Sequence, residues 1–410
     1  MERYDYILAG GGAAGLSLAY RMMHRGLENT RILIIDLAEK RANDRTWCFW
    51  SDREELLDPV VAHRWSHIWF HGPERSHRWA LNPYEYRMIR GSDFYEFTQN
   101  DLKARDNVTF VHARVTAIED GDLASGTLAR VTVEDGRSFE AEWVFDSLFF
   151  PREFQVDTGR YHFLKQHFVG WVVKTSEPVF DPDAATMFDL RVPAYGDFRF
   201  MYLLPVSATE SLVEYTLFSA RLLPREEYES EIRAYMTRFY PKVSYEIVES
   251  EDGIIPMTEQ PFPRRGGQRI MYTGTKGGRV KASTGFAFHR TQEDSERIVQ
   301  SLVATGSPFH GDDPPRRYRT FDAMLLSILD RRGEYAAKRV FVDLFEKNPL
   351  PRLWRFLDEH GTVWENIALM STVPWIPFIA AWFRVKGRAV VSALTGKRRV
   401  TPAIPTGGKQ

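Results

Sequence analysis

Two sets of residues have types and spacings that imply chemistry. The first lies in "YDYILAGGGAAGLSLAYRMMHRG", where an alternating apolar run precedes Gly10, Gly12 and Gly15 and a helical pattern follows. A second apolar run, "TRILIIDLAE", ends on Asp36. Strand, glycine turn, helix, and an acid at the end of the next strand make a dinucleotide-binding fingerprint in its required context. Gly10 permits the tight turn, Gly12 lets the backbone approach a pyrophosphate, and Gly15 lets the helix pack on the strand. The helix N-terminus offers unpaired N–H groups and a positive dipole end to phosphate. Asp36 is placed to accept from ribose hydroxyls. The second set is "SLVEYTLFS", which puts Glu214 in an apolar strand on the same face as Leu212 and Thr216. A carboxylic acid facing an apolar cavity keeps its proton near neutral pH and serves as a general acid. Alternation does not say which face is wet, so a solvent-facing Glu214 is the competing reading. Asp189 in "MFDLR" sits similarly among apolar neighbours, with Arg191 available as an ion-pair partner.

These groups need elements to position them. The fingerprint lies within the first fifteen residues, where many flavoproteins carry it, which favours FAD over NAD. Two later segments fit a flavin-binding domain. "RSFEAEWVFDSLF" reads as a strand ending at Asp146-Ser147, and "QRIMYTGTKGGRVKASTGFAFHR" reads as a strand and loop before the helical "HRTQEDSERIVQSLVA". Thr284 and Gly285 are expected to open that helix at the flavin, where the dipole favours an anionic reduced ring. Between the blocks the period changes. "HRWSHIWFHGPERSHRWAL" reads as a hairpin turning at Gly72-Pro73, and Phe163 to Phe218 reads as a series of antiparallel strands. "GIIPMTEQPFP" reads as a crossing strand that returns to the nucleotide domain, with Glu259 structural or solvent-exposed. Beyond Arg316 the pattern is helical.

The expected fold class is α/β, a Rossmann-like FAD-binding domain with an inserted antiparallel-sheet substrate domain and a helical C-terminal region. The expected boundaries are 1–62, 88–160 and 264–318 for the FAD domain, 63–87 and 161–263 for the substrate domain, and 319–410 for the helical region.

Composition removes other classes. The chain has 410 residues, with 54 Lys and Arg against 55 Asp and Glu, so no charge excess draws nucleic acid. Cys48 is the single cysteine, which excludes an internal disulfide framework and a multi-cysteine metal site. His63, His67, His71 and His77 lack supporting acids or cysteines, so no metal is expected. Neither a secretory signal nor a membrane-spanning run is expected. "VPWIPFIAAWF", followed by Arg384, Lys386 and Arg388, reads either as a helix lying in a membrane interface or as one packed on the body.

Several stretches together resemble the lycopene cyclases of carotenoid biosynthesis, specifically the bacterial beta-cyclases, over nearly the whole chain. They are "AGGGAAGLSLA", "NDRTWCFW", "VFDS", "FDLRVPAYGDFRFMYLLP", "LVEYTLFS", "GIIPMTEQPFP" and "GTKGGRVKASTGFAF". "NDRTWCFW" and "LVEYT" are the specific ones. The resemblance implies FAD in reduced form, with NADPH as the expected reductant, in a reaction without net redox change. It places the catalytic acid at Glu214. The family's Met-Asp pair reads Phe188-Asp189 here, and the resemblance makes Asp189 the second catalytic carboxylate. The implied substrate is lycopene or a related linear carotenoid, an apolar chain held in a bilayer. The implied place of work is the cytoplasm, at the inner face of the cell membrane. On this reading FAD is held by Gly10, Gly12, Ala13, Ala14, Gly15, Asp36, Arg45, Thr46, Asp146, Gly277, Thr284 and Gly285. The polyene lies against Trp47, Phe49 and Tyr202, with Trp50 beside them. Two alternatives stay open: a redox flavoenzyme of the same architecture, such as a monooxygenase or prenyl reductase, and a carotenoid- or flavin-binding scaffold without turnover. Stoichiometric use of NAD(P)H separates the first from a cyclase.

Overall fold

The computed structural model describes residues 1–150, 154–311, 315–331, 334–395 and 400–402. The N-terminal strand Glu2–Ala9 runs between the parallel strands Ile32–Asp36 and Ser138–Asp146. Val108–His112 extends the sheet beyond Ile32–Asp36. Ser138–Asp146 divides its pairing. Its first half is antiparallel to Ala129–Val133, and its last residues are parallel to Ile270–Tyr272. Parallel strands covered on both faces read as continuous apolar runs, which is why "ILIID" lacks alternation. Leu8 and Ile34 pack with the helices Ala13–Met22, Gly91–Lys103 and Phe288–Thr305. Ile7, Leu33 and Ile35 enter a second cluster with Val131 and Val133.

The second large sheet has seven strands in the order Tyr245–Met257, Leu164–Thr175, Glu210–Ser219, Phe198–Pro205, Ala184–Asp189, His67–His71 and Ser76–Ala80. The expected turn at Gly72-Pro73 joins the last two strands, with Gly72 N–H donating to the Arg75 carbonyl at 2.8 Å. One face carries Leu212, Phe218, Phe198 and Phe200 and packs under the C-terminal helices Arg316–Leu329, Glu334–Lys347 and Leu350–Leu357. The other face carries Val213, Tyr215 and Leu217 and is covered by the helix Arg225–Phe239 through Tyr228, Ile232, Tyr235 and Met236. The sequence reading passed over this helix. The third sheet is small and antiparallel, with Glu85–Arg90 between Thr46–Ser51 and His63–Trp65. "NDRTWCFW" is therefore a loop leading into a strand.

Glu259 is buried and accepts from the backbone N–H and Nδ1 of His162, at 3.1 and 2.9 Å. Its role is structural, fixing the chain where it leaves the large sheet.

Candidate active site

The glycine fingerprint lies at the carboxyl ends of the parallel strands, where ligands of open α/β sheets bind. The helix Ala13–Met22 starts at Gly12 with no side chain capping it, so its first N–H groups face open space. A Cβ on Gly12 would meet nothing within 4 Å, whereas one on Gly15 would lie 2.0 Å from the Gly10 carbonyl oxygen. Gly12 thus leaves room for a ligand and Gly15 leaves room for the fold. Asp36 accepts from Gly11 N–H at 2.6 Å and Leu37 N–H at 2.7 Å at the rim of the cradle. The turn after Ile270–Tyr272 closes the other side, with Gly274 against the Ala14 methyl. Gly277 sits in that turn, donating to the Thr273 carbonyl at 3.0 Å. Gly10, Gly12, Ala13, Ala14, Gly15, Asp36 and Gly277 therefore share one cradle. The Asp146 carboxylate stands apart: it is buried and ion-paired with Lys276. Arg45 is exposed, and the Thr46 hydroxyl is committed to Glu251 at 2.7 Å.

The sequence reading expected Thr284 and Gly285 to open the helix, and the structure corrects it. They form a turn in which Gly285 N–H donates to the Lys281 carbonyl at 2.8 Å, and the helix starts at Phe288. Gly285 has φ +75°, and a Cβ there would lie 2.0 Å from Gln166 Oε1. Among the described residues, Thr273 Oγ1, Thr284 Oγ1 and Gln166 Oε1 are buried polar atoms without a hydrogen-bond partner. Such atoms are costly unless a ligand or water satisfies them. Open space at Gly12, an uncapped helix and unpaired donors and acceptors near Thr284 fit a bound dinucleotide with a polar ring system.

Lys281 anchors this turn from below. It is buried and ion-paired to Asp322 at 2.8 Å and to Glu359 at 2.7 Å, and Arg290 reaches Glu359 at 3.1 Å. The turn is thus pinned to the C-terminal region by a buried charge network.

Glu214 lies on the face of the large sheet that packs under those helices, with Leu212 and Phe218. Burial pushes its carboxyl up to about 8, the Glu251 carboxylate adds to the rise, and the hydrogen bond from Thr216 opposes it. Tyr202 pairs with Glu214 across the neighbouring strand, and its hydroxyl lies 2.6 Å from that of Tyr86. Cys48 lies near both tyrosines, and burial raises its thiol to about 12. Burial raises both phenols well above 10. On the other side Glu214 and Glu251 both register with Gly170, on adjoining strands.

Asp189 does not join this group, which corrects the expectation that it shares the catalytic site. Its carboxylate is fully buried on the opposite face, paired with Arg191 and accepting from Tyr235 Oη at 2.7 Å. An irregularity between Thr186 and Asp189 breaks the alternation: Met187 and Phe188 both join the Glu214-side cluster, and Asp189 then points under the helix Arg225–Phe239.

The strand Thr46–Ser51 also divides its side chains. Trp47 stacks on Phe288 at 5.3 Å and packs against Phe94 in the nucleotide-domain core, so it is not placed on the Glu214 side. Phe49 packs beside Phe288 and lines a void of ≈ 320 Å³ with Cys48, Trp50, Thr284 and Phe286. Cys48 and Trp50 are the residues of this strand that face the cluster containing Tyr202. A larger apolar cavity, enclosing ≈ 680 Å³ of empty space with its mouth, shares Thr284 and Phe286 and continues between the C-terminal helices past Phe188, Phe341, Met370 and Phe378. The two spaces share Thr284, Phe286 and Leu357 in their linings, and the smaller one reaches Cys48 on one side and the charged Lys281, Arg290 and Asp358 on the other. Sequence reasoning missed Glu251, Gly170 and Gln166.

A family model described as "Lycopene cyclase protein" matches residues 5–382. The lycopene beta-cyclase of Pantoea ananas is 24% identical over 396 residues, covering 92% of this chain and 97% of that protein. The lycopene beta-cyclase of Pseudescherichia vulneris is 22% identical over 402 residues, covering 92% and 96%. Among solved structures, the flavin-dependent monooxygenase PieE in complex with FAD and substrate superposes with a TM-score of 0.57 at 14% identity, covering 94% of this chain and 72% of that one. A flavoprotein/dehydrogenase from Cytophaga hutchinsonii gives 0.56 at 14%, covering 97% and 100%. A geranylgeranyl bacteriochlorophyll reductase-like protein from Thermoplasma acidophilum gives 0.54 at 13%, covering 96% and 99%. At these identities the structures establish the fold, that of FAD-dependent flavoproteins.

Proposed function

The chain belongs to the lycopene cyclase family, and we propose that it closes the linear ends of lycopene into beta rings by acid-initiated cyclisation. The observation that carries the reading is Glu214, a buried carboxyl held protonated near neutrality on an apolar sheet face. A hydrocarbon offers no polar handle, so the chemistry must start with a proton delivered in a dry pocket. Glu214 gives its proton to the terminal alkene. The neighbouring internal alkene attacks the resulting cation and a six-membered ring forms; a ring proton then passes to the carboxylate left on Glu214, setting the ring double bond and restoring the acid. Atoms and electrons are conserved, so no oxidant or reductant is consumed.

FAD would be held by the Gly10–Gly15 cradle, Asp36 and the turn Thr284–Gly285, with Gln166 and Thr284 supplying unpaired polar atoms. Bound in reduced form, it would supply negative charge that offsets the developing cation. NADPH is the proposed source of that reduction. Cys48, Tyr86 and Tyr202 hold their protons throughout, so they surround Glu214 without competing as bases. Phe286 and Trp50 offer ring faces that favour a nearby cation and exclude water.

The substrate arrives from a bilayer, and we assign its entry to the helices Val363–Met370 and Trp375–Thr395. Among the described residues no single helix is long and apolar enough to cross a membrane. The outer faces of these two expose Trp364, Trp375, Ile376 and Phe383, while Met370 and Phe378 line the apolar cavity. Exposed Lys386 beside Trp382 adds positive charge suited to an anionic leaflet, such as the inner face of the cell membrane.

The test is anaerobic incubation with lycopene in liposomes and photoreduced FAD, without nicotinamide, followed by chromatography. Ring-closed product is expected, falling by at least about 100-fold in Glu214→Gln with flavin binding unchanged. Product that forms only with both NADPH and oxygen would identify a monooxygenase instead.

A further inference from the structure

Glu214 and Glu251 sit on strands that flank a common neighbour, and both register with the same residue of it, Gly170. Adjacent strands lie about 4.8 Å apart, so any side chain on Gly170 would stand between the two acids. A Cβ built there would meet Leu212 Cδ1 at 3.0 Å and Glu214 Cβ at 3.3 Å. Glycine in the interior of a twelve-residue strand forfeits packing and costs backbone entropy, so its presence calls for a close approach. What approaches is Leu212 and the Glu214 side chain, with Glu251 in register on the far side of the glycine.

The two acids are not equivalent. Glu251 receives the Thr46 hydroxyl at 2.7 Å, and the loop carrying Thr46 is tied to the same edge strand by Asn43, which donates to Glu249 at 2.9 Å. Burial raises the Glu251 carboxyl, the charges of Glu249 and Asp252 add to the rise, and the Thr46 hydrogen bond and the Arg45 cation oppose it. Glu214 receives one neutral hydroxyl, from Thr216. The other titratable groups packed toward the pair are Cys48 on the Thr46–Ser51 strand, Tyr86 on Glu85–Arg90 and Tyr202 on Phe198–Pro205, and all three hold their protons through neutral pH.

The geometry points to Glu251 as a positioning residue for the acid: anchored by Thr46 across the gap at Gly170, its ionised carboxylate obliges Glu214 to hold the single proton the pair shares. The inference rests on the cyclase reading for the use of that proton, but not for its location. It also explains why the polar loop of "NDRTWCFW" is built against this sheet edge: the loop holds the charge that keeps the acid loaded.

The test is an infrared titration of the flavin-loaded protein in the carboxylic-carbonyl region, alongside the pH profile of kcat on lycopene. The Glu214 band, identified by its loss in Glu214→Gln, should vanish as pH rises through about 8. In Glu251→Gln, which is isosteric and neutral, the band and the basic limb of kcat are expected to move down by about 1 pH unit or more, with KM unchanged. Glu251→Asp keeps the charge and should stay near wild type. Thr46→Val removes the donor and leaves both carboxyls, and should move the band the same way by less. A band that stays put in Glu251→Gln, or in Thr46→Val should the first variant not fold, overturns the proposal, as does an equal movement in the Gln and Asp variants. A protein that titrates as expected but converts no lycopene would sink the cyclase reading and leave the pairing standing.

Discussion

Replacing the acid by its neutral isostere should stabilise the protein at alkaline pH while destroying its activity. In the unfolded chain the Glu214 carboxyl ionises at its ordinary 4.5; in the fold, burial and Glu251 raise it to about 8. A raised carboxyl contributes stability that is present in full below 4.5 and is lost progressively until the pH passes 8. Between those values the unfolded state has released a proton that the folded state still binds, so each pH unit costs about 1.4 kcal/mol. The whole interval is worth roughly 5 kcal/mol as an upper bound, because water drawn to an ionised Glu214 recovers part of the penalty. Glu214→Gln has no such proton to release. Its stability should match wild type at pH 5 and exceed it by about 2–4 kcal/mol at pH 9. Urea unfolding of both proteins at equal flavin saturation, at half-unit steps from pH 5 to 9, measures the difference. A gain of the same size at both ends would mean that packing or hydrogen bonding, not charge, separates the variants. A gain that grows toward pH 5 would reverse the sign and refute the assignment of a buried, proton-holding acid.

Two further outcomes separate the roles of neighbouring features. Gly12→Val should leave the melting temperature of the flavin-free protein unchanged and weaken FAD binding by at least about 10-fold, whereas Gly15→Val should lower flavin-free stability itself, because only the second side chain collides with backbone. Fluorescence melting and flavin titration read both. A triple variant of the exposed apolar face, Trp375→Ser, Ile376→Ser and Phe383→Ser, should lose flotation with anionic liposomes while keeping fold and flavin content, since these side chains are 67%, 64% and 64% exposed and make no core.

The nucleotide-binding half was legible because its signals are local: a glycine turn, a helical period and an acid at a strand end lie within 36 residues. Glu214 was legible from alternation, which put it beside Leu212 and Thr216, and the structure keeps that face intact. The same reasoning misplaced Asp189, because one irregularity in Ala184–Asp189 reverses parity and no residue type announces it. Glu251 was invisible for a different reason. Its partner lies 37 positions earlier, and the two meet only through the register of each with Gly170. The turn at Thr284 was read as a helix start because Thr284 and Gly285 directly precede a helical pattern, yet the chain makes a tight turn on Lys281 first. The helix Arg225–Phe239 was within reach. Pro224 precedes it, Glu226 and Glu227 occupy its first turn, and Tyr228, Ile232, Tyr235 and Met236 recur at helical spacing. Reading the whole region as sheet concealed it.

The backbone does not decide what this flavoprotein fold does, since proteins superposing on it carry monooxygenase, dehydrogenase and reductase names. The decision lies in which side chains the large sheet presents to the pocket. A site for proton-initiated chemistry on an alkene needs one group that is neutral at working pH and acidic enough to give up its proton. The Cys48 thiol at about 12 and the phenols of Tyr86 and Tyr202 are too weak as acids to start it. Asp189 is sealed beneath a helix on the far face with its charge matched by Arg191. Glu251 sits at the edge with a hydroxyl donor in Thr46 and a cation in Arg45 that oppose the rise burial imposes on it. Glu214 alone among these groups is both protonated near neutrality and turned toward the apolar side, so the chemistry of the pocket follows from a buried carboxyl that has a hydroxyl for company and no cation.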